Sequence, residues 1–560
     1  REVSLRLRPS AAVLLLLGLS VLLVPPLRAG PSLTASVRMR DGVELPTDVY
    51  LPEGHGPRPA VLERTPYGRE GLASSESSYT SFGMAYVGQD MRSGVNGSDQ
   101  FVPFLDDGWG MRQDGFDTVE WIASQEWCNG RVMMVGSSAS AIAALMAAGT
   151  APPALTSIRS IDAGSDVYSD VAYPGGVFRR ELVQGFLTVI HNTASLDILV
   201  AHPGLDSFWD PVRLSLRRSD VNVPILQEGG WFDLYTDATL ETATLLDSRG
   251  GPGARSHQIV IIGPWTHTAV GEQTQGDLTF PPNAEIGADL ANLINAFTAE
   301  TLQGDHFGIF DLPRYQYYLM GDVDDPGAPG NEWRSSFIWP PPAIDRVLYL
   351  HGDGTLRDSM PASAEALTTS YACDPSDPIP TRGGHNIYIG AGPQDQRILE
   401  ARPDVVTFTT GSLPSPSAVT GPVRCRLFVS STAPDADFFV KLCDVYPDGR
   451  SMLITEGALQ ARRRNGPDQE DLMVPGEVYA LDIEVGQTAL VFNTGHRLRI
   501  SVASSNFPRF EVNPQTGAPL ELDDPVTAVA THTIHHSPTY PSQLIVPIAV
   551  SPEASGLLLR

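Results

Sequence analysis

Gly130-Arg-Val-Met-Met-Val-Gly-Ser-Ser138-Ala-Ser-Ala-Ile-Ala-Ala-Leu-Met-Ala-Ala-Gly149 is the stretch on which the reading of this chain turns. Val132 to Val135 is short and uniformly apolar, as expected of a parallel strand buried on both faces. Ala139 to Ala148 consists almost wholly of good helix formers. Only Gly136-Ser137-Ser138 separates the two, so the stretch reads as strand, abrupt turn, helix, with a hydroxyl at the turn. In a nucleophile elbow such a turn is strained and lifts the serine Oγ above the sheet edge. The close approach demands small residues two before and two after the nucleophile. Gly136 and Ser140 meet that demand for Ser138, whereas Ser137 and Ser140 lack symmetric flanks. The pattern is G-x-S-x-S and not G-x-S-x-G. Taken alone, a serine-rich turn ahead of a tightly packed helix reads equally well.

Upstream of the elbow, Ser36 to Tyr50 holds two alternating runs around Asp41-Gly42, a hairpin signal. Pro59 to Glu63 and Met84 to Gln89 read as buried strands, and the second runs into the turn-rich Asp90 to Ser98. Asp114 to Ser124 reads as an amphipathic helix, with Phe116, Val119, Trp121 and Ile122 apolar. Strand and helix in alternation imply βαβ units and a parallel sheet. From about Ala163 to Asp220 that rhythm is lost among aromatic and charged clusters, which reads as a helical insertion. It resumes with a strand over Val221 to Gln227, a helix over Thr236 to Asp247 stopped by Gly250-Gly251, and a strand over His257 to Ile262. Leu290 to Thr301 reads as helix and Tyr315 to Met320 as strand.

Trp339-Pro-Pro-Pro-Ala343 marks a boundary. Beyond it helical periodicity nearly vanishes, and strands such as Arg424 to Val429, Phe438 to Val445 and Arg497 to Val502 indicate a β-sandwich. Five segments are expected: 1–29, 30–162, 163–220, 221–338 and 339–560. The first reads as an export signal. Arg1, Arg6 and Arg8 precede the apolar block Ala11 to Val24, Pro25-Pro26 breaks it, and Ala29 is the candidate cleavage position; an uncleaved anchor is the alternative.

With 42 % hydrophobic and 18 % charged residues the 560-residue chain is ordinary for a globular protein. Its net charge of −27 argues against nucleic acid or an anionic membrane as partner. Four cysteines make no disulfide framework. Cys425 and Cys443 fall on strands expected to be neighbours and could pair, with buried thiols as the alternative. No cysteine or histidine spacing reads as a zinc site. His532, His535 and His536 come closest to a metal cluster but have no evident carboxylate partner.

An elbow serine needs a base, and the base an orienting carboxylate. Sites in parallel sheets lie beyond the C-terminal strand ends. Of twelve histidines, His267 directly follows a buried strand; Asp233 stands at the same end of the preceding one. The order Ser138, Asp233, His267 is that of an α/β-hydrolase. Individually, Asp233 also reads as a helix N-cap and His267 as a loop histidine. The Ala139 amide is an oxyanion donor by position, and Tyr67, ending another early strand, offers a second through its hydroxyl.

These residues carry a resemblance. Arg64-Thr-Pro-Tyr67, Trp127 to Ser138, Gly230-Trp-Phe-Asp233 and Gly263-Pro-Trp-Thr-His267 resemble the CocE/NonD serine hydrolases, a group that takes in cocaine esterase, α-amino-acid ester hydrolases and the S15 X-Pro dipeptidyl-peptidases. Asp374 to Gly384, Asp437 to Gly449 and Gly495 to Arg499 extend it into the C-terminal half. The resemblance implies an α/β-hydrolase core, a helical cap and a C-terminal jelly-roll sandwich. It implies Ser138 as nucleophile with Asp233 and His267, Tyr67 and the Ala139 amide as oxyanion hole, and Tyr235 on the acyl pocket. Ala139 and Ala141 depart from the family's usual tyrosine and glycine, which should reshape the pocket. The family's amine-reading carboxylates have no matching position, and the cap looks short. The expected activity is metal- and cofactor-free cleavage of a small-molecule ester or amide. The alternatives are an X-Pro dipeptidyl-peptidase acting on short peptides and an inert secreted binding protein.

Overall fold

A computed structural model of the chain describes residues 30–92, 102–363 and 366–550. The expected signal over 1–29 and most of the loop after Asp90 lie outside the described residues. Among the described residues no helix is long and apolar enough to cross a membrane.

The hairpin is present as β1 (Leu33–Arg38) and β2 (Glu44–Tyr50), paired antiparallel. β3 (Arg58–Thr65), the short helix α1 (Ser77–Thr80) and β4 (Ala85–Asp90) follow. Next come α2 (Asp114–Ala123), β5 (Cys128–Ser137), α3 (Ala139–Ala148) and β6 (Leu155–Ile161). Short helices fill the interval to the next strand, the longest being α4 (Arg180–Val189) and α5 (Ser195–Val200). β7 (Ile225–Phe232), α6 (Thr236–Arg249) and β8 (Gln258–Thr266) resume the alternation. The ribbon β9 (Thr274–Gln275) and β10 (Leu278–Thr279), α7 (Ala288–Thr298), β11 (Tyr315–Leu319) and β12 (Glu332–Ser336) complete this half.

Ten of these strands form one sheet in the order β1-β2-β4-β3-β5-β6-β7-β8-β11-β12. The inner pairs from β4 to β11 run parallel, and the hairpin and β12 cap the two ends antiparallel. β7 and β8 are buried at every residue, as interior strands of a parallel sheet covered on both faces should be. All ten residues of α3 are buried, consistent with a helix apolar on every side.

β6 has no counterpart among the strands expected from the sequence. Its Thr, Arg and Ser residues break the hydrophobic pattern, and the sheet accommodates them by pairing. Arg159 bonds Glu228 of β7 at 2.6 and 3.1 Å, satisfying a charge inside a central strand.

Beyond Pro340 the chain builds two antiparallel sheets, one of seven strands and one of four. The long pair Ser417–Ser431 and Tyr479–Phe492 forms the spine of the larger. Cys425 lies in the larger sheet and Cys443 in the smaller, so their strands are not neighbours as expected; all four cysteines are free, buried thiols. Burial pushes each thiol up, Cys373 to about 12, which leaves them poor nucleophiles. His532, His535 and His536 each bond a hydroxyl, of Ser431, Ser430 and Thr369 respectively. A buried Asp322–His496–Asp444 clasp ties the loop after β11 to the sandwich.

Where α6 meets the cap and the Pro-rich linker, a cleft of about 580 Å³ is lined by Asp170, Glu241, Ser248 and Trp339 among others. Its protein walls push Glu241 up to about 8, with Asp237 and Asp170 adding like charge. The folded pKa lies above the unfolded one, so ionisation opposes folding. The penalty is absent below the unfolded value, grows as pH rises, and is complete above about 8. Glu241→Gln should therefore leave Tm unchanged at pH 4 and raise it at pH 9. The gain is roughly 1–3 °C, because solvent in the cleft screens the charge. Thermal scans at the two pH values check this.

Candidate active site

The elbow forms at the end of β5. Ser138 adopts φ 54° and ψ −122°, a strained backbone for a non-glycine residue. Its N–H donates to Ile161 O at 2.9 Å, and its C=O accepts the Ile142 N–H at 2.9 Å, so strand and helix share one residue as hinge. Gly136 has no substitute here. A Cβ would lie 2.5 Å from the Ser140 carbonyl carbon and 2.6 Å from Ala141 N. The need for a residue without a side chain two before Ser138 is thus a steric fact of this turn.

Asp233 follows β7 and His267 follows β8. The ends of the two strands are drawn together at Gly230, where a Cβ would meet Trp265 O at 2.1 Å. Gln275 of β9 then pins the second loop by accepting the Thr266 N–H at 2.8 Å and its hydroxyl at 2.9 Å. His267 Nδ1 lies 2.5 Å from Asp233 Oδ2, and His267 Nε2 lies 3.0 Å from Ser138 Oγ. With Nδ1–H donated to the carboxylate, Nε2 carries the lone pair and accepts the serine O–H. The other Asp233 oxygen accepts the Tyr235 N–H at 2.6 Å. Asp233 thus serves the first turn of α6 and His267 at once. Its side chain is fully buried and that of His267 is 5 % exposed.

Tyr67 follows β3 and turns its hydroxyl toward Ser138. Burial pushes this phenol well above its ordinary value, the Tyr388 phenol adds to the rise, and the bond to Ser138 opposes it. It is a neutral donor at any physiological pH. The Ala139 amide opens α3, where an N–H has no helical acceptor. Tyr235 is 3 % exposed and packs its ring 5.8 Å from the His267 ring at 71°.

Several residues at the site are absent from the sequence reading. Phe186 of α4 meets Tyr67 edge-on at 6.3 Å and stacks on Phe104 at 5.9 Å, forming an apolar wall beside Tyr67. Arg179 is fully buried, and burial lowers its pKa to about 10, so it stays charged. It donates to Asp170 O (3.3 Å), Leu234 O (3.4 Å) and His385 O (2.7 Å). One guanidinium therefore joins the cap, the Asp233 loop and the C-terminal half. Nothing in an isolated Phe178-Arg-Arg180 signals this, because all three acceptors are backbone carbonyls. Asp162, just past β6, is 1 % exposed, and neither carboxyl oxygen has a hydrogen-bond partner among the described residues. Asp162, Asp233 and His267 bring two carboxylate oxygens and one ring nitrogen within 4.8 Å of one another. A cation would find ligand-type atoms there, but the Asp233–His267 hydrogen bond already engages two of the three groups.

Family models match in two blocks: the X-Pro dipeptidyl-peptidase (S15 family) model over residues 41–197, and the X-Pro dipeptidyl-peptidase C-terminal non-catalytic domain over residues 308–545. A cocaine esterase from Rhodococcus sp. (strain MB1 Bresler) is 31 % identical over 581 residues, covering 91 % of this chain and 97 % of the relative. Among solved structures, an α-amino-acid ester hydrolase superposes with a TM-score of 0.77 at 23 % identity, over 92 % of this chain and 96 % of the other. A CocE/NonD family hydrolase from Staphylococcus aureus gives 0.71 at 18 % identity, over 92 % and 93 %. These two carry the fold, an α/β hydrolase with a C-terminal antiparallel domain. The sequence relationship carries the rest: the chain belongs to the CocE/NonD family of serine hydrolases.

Proposed function

We propose that the protein hydrolyses esters of small acyl compounds through Ser138, His267 and Asp233. The observation that carries this reading is the hydrogen-bonded run from Ser138 Oγ through His267 to Asp233, at 3.0 and 2.5 Å. As Oγ attacks the ester carbonyl, His267 Nε2 takes its proton, and the Asp233 carboxylate stabilises the imidazolium. The carbonyl oxygen becomes an oxyanion and receives the Tyr67 O–H and the Ala139 N–H. Collapse expels the alcohol, protonated by His267. Water repeats the sequence on the acyl-enzyme, with His267 as base, and releases the acid. This chemistry uses only the chain's own residues.

The wall formed by Phe104 and Phe186 favours a flat apolar group beside the carbonyl, and the cocaine esterase relative supports ester over peptide. The S15 family models favour the second reading, an X-Pro dipeptidyl-peptidase. A panel of p-nitrophenyl esters, amino-acid esters and X-Pro anilides, run beside Ser138→Ala, separates the two. Turnover of esters that Ser138→Ala abolishes supports the first reading; turnover confined to anilides replaces it with the second. In this reading residues 30–162 and 221–338 form the catalytic core, 163–220 its cap and 339–560 the sandwich. Export rests on the apolar block Ala11 to Val24, and the N-terminal sequence of protein recovered outside the cytoplasm tests it.

Tyr67→Phe removes one oxyanion donor while keeping the ring against Phe186. By the usual cost of such a donor, kcat should fall about 10²–10³-fold, or roughly 3–4 kcal/mol, with KM little changed. Steady-state kinetics on the best ester of the panel check it.

A further inference from the structure

Asp162 is the buried acid that the triad mechanism leaves without a task. Its backbone takes φ 50°, as that of Ser138 on the neighbouring strand takes φ 54°. Aspartate tolerates this left-handed turn at a cost of about 1 kcal/mol. Its N–H donates to Glu228 O at 2.8 Å, which anchors the turn to β7. The carboxyl stands at the sheet edge within 4.8 Å of both Asp233 and His267. An isolated carboxylate in such a place is very costly, and even a neutral carboxyl left unpaired loses about 1–3 kcal/mol. The Asp233 carboxylate offers an acceptor within 4.8 Å. Each of its oxygens has two lone pairs, and its two observed partners, His267 Nδ1 and Tyr235 N, leave capacity for a third.

We propose that Asp162 is a positioning residue of the catalytic unit: a neutral carboxylic acid whose O–H turns to donate to Asp233, holding that carboxylate in place and moderating its pull on the His267 proton. The inference rests on the triad reading. Burial pushes Asp162 well above the ordinary carboxylate range, and the charges of Asp233 and Glu228 add to the rise. The groups facing this corner are Asp233 and His267 from the two loops, Glu228 from β7 and Tyr235 at the start of α6. Glu228 is paired with Arg159 of β6, which offsets part of its charge. Arg179 from the cap acts on Asp233 and Tyr235 from the far side, and Asp170 acts on Tyr235. Asp233 is the neighbouring anion that acts most strongly on Asp162. A proton held between two carboxyls lowers the negative charge felt by the imidazolium, so it keeps the His267 pKa down and the base free at lower pH.

The test compares Asp162→Asn, which keeps a neutral donor, with Asp162→Leu, which removes it. Two readouts are taken: the acid limb of the kcat/KM–pH profile, and the His267 titration by NMR with ¹³C-labelled histidine in a Ser138→Ala background. The second does not depend on turnover, so failure of the triad reading and failure of this one remain distinct. In Asp162→Asn the His267 pKa should stay within about 0.3 of the parent value, and in Asp162→Leu it should rise by about 0.5–1 unit, with the acid limb following. A fall in both variants would mean that Asp162 is an ionised carboxylate, and would overturn the proposal. So would a His267 pKa that Leu leaves unmoved. Should Asp162→Leu not fold, the Asn variant decides: a titration within 0.3 of the parent upholds the neutral donor, and a shift beyond that in either direction refutes it.

Discussion

Replacing Ser138 with alanine should lower kcat for the best ester by about 10⁶-fold while leaving KM within about threefold. The size follows from what the hydroxyl does. In the proposed mechanism Ser138 Oγ, 3.0 Å from His267 Nε2, is the atom to which the acyl group transfers. Alanine leaves His267 able only to activate water, and water is not held in line with the carbonyl. The oxyanion donors Tyr67 and the Ala139 amide survive, so a residual acceleration of roughly 10³ over the uncatalysed reaction should persist. The fold should not suffer. Alanine occupies the same left-handed backbone at comparable strain, and its N–H still donates to Ile161 O. Calorimetry on the variant separates lost chemistry from lost structure. A Ser138→Ala protein that keeps a tenth of parental ester turnover contradicts the assignment outright.

Asp233→Asn should cost about 10⁴ in kcat, again with intact folding. Asp233 Oδ2 sits 2.5 Å from His267 Nδ1, so the carboxylate holds the proton on Nδ1 and leaves Nε2 free. An asparagine amide in the same place can turn its NH₂ toward Nδ1. The ring proton then moves to Nε2, where it faces Ser138 and blocks proton transfer. The Asn oxygen can still accept the Tyr235 N–H, as Oδ1 does at 2.6 Å, so the start of α6 is preserved. A loss confined to about tenfold would show that another group orients His267. The ester kinetics of Asp233→Asn, and of the Asp162/Asp233 double variant beside it, measure this.

Much of this arrangement is legible in the sequence because the responsible residues act locally. Val132 to Ala148 spells strand, tight turn and helix in seventeen residues, and Gly136 is required by a contact four residues away. Asp233 and His267 stand immediately after apolar strands, so the strand-end rule locates them without knowledge of the packing. What stays hidden depends on distant partners. β6 carries Arg159, which looks unfit for a central strand until Glu228 of β7 is placed beside it. With β6 unseen, Asp162 is one more loop acid, although it ends a strand just as Asp233 does. The work of Arg179 is likewise invisible, since its acceptors are main-chain carbonyls from three parts of the chain. Cys425 and Cys443 sit on strands that look adjacent in sequence, but sheet assignment is a tertiary property, and the two strands belong to opposite sheets.

Ser138 Oγ is assigned as the nucleophile, and labelling with a fluorophosphonate followed by peptide mapping reads that assignment out. The assignment requires one modified serine, Ser138, in the folded protein, no modification of Ser138→Ala and slowed labelling of His267→Ala. Modification of Ser137 or Ser140 in its place, or no modification of folded protein that still hydrolyses esters, would contradict it.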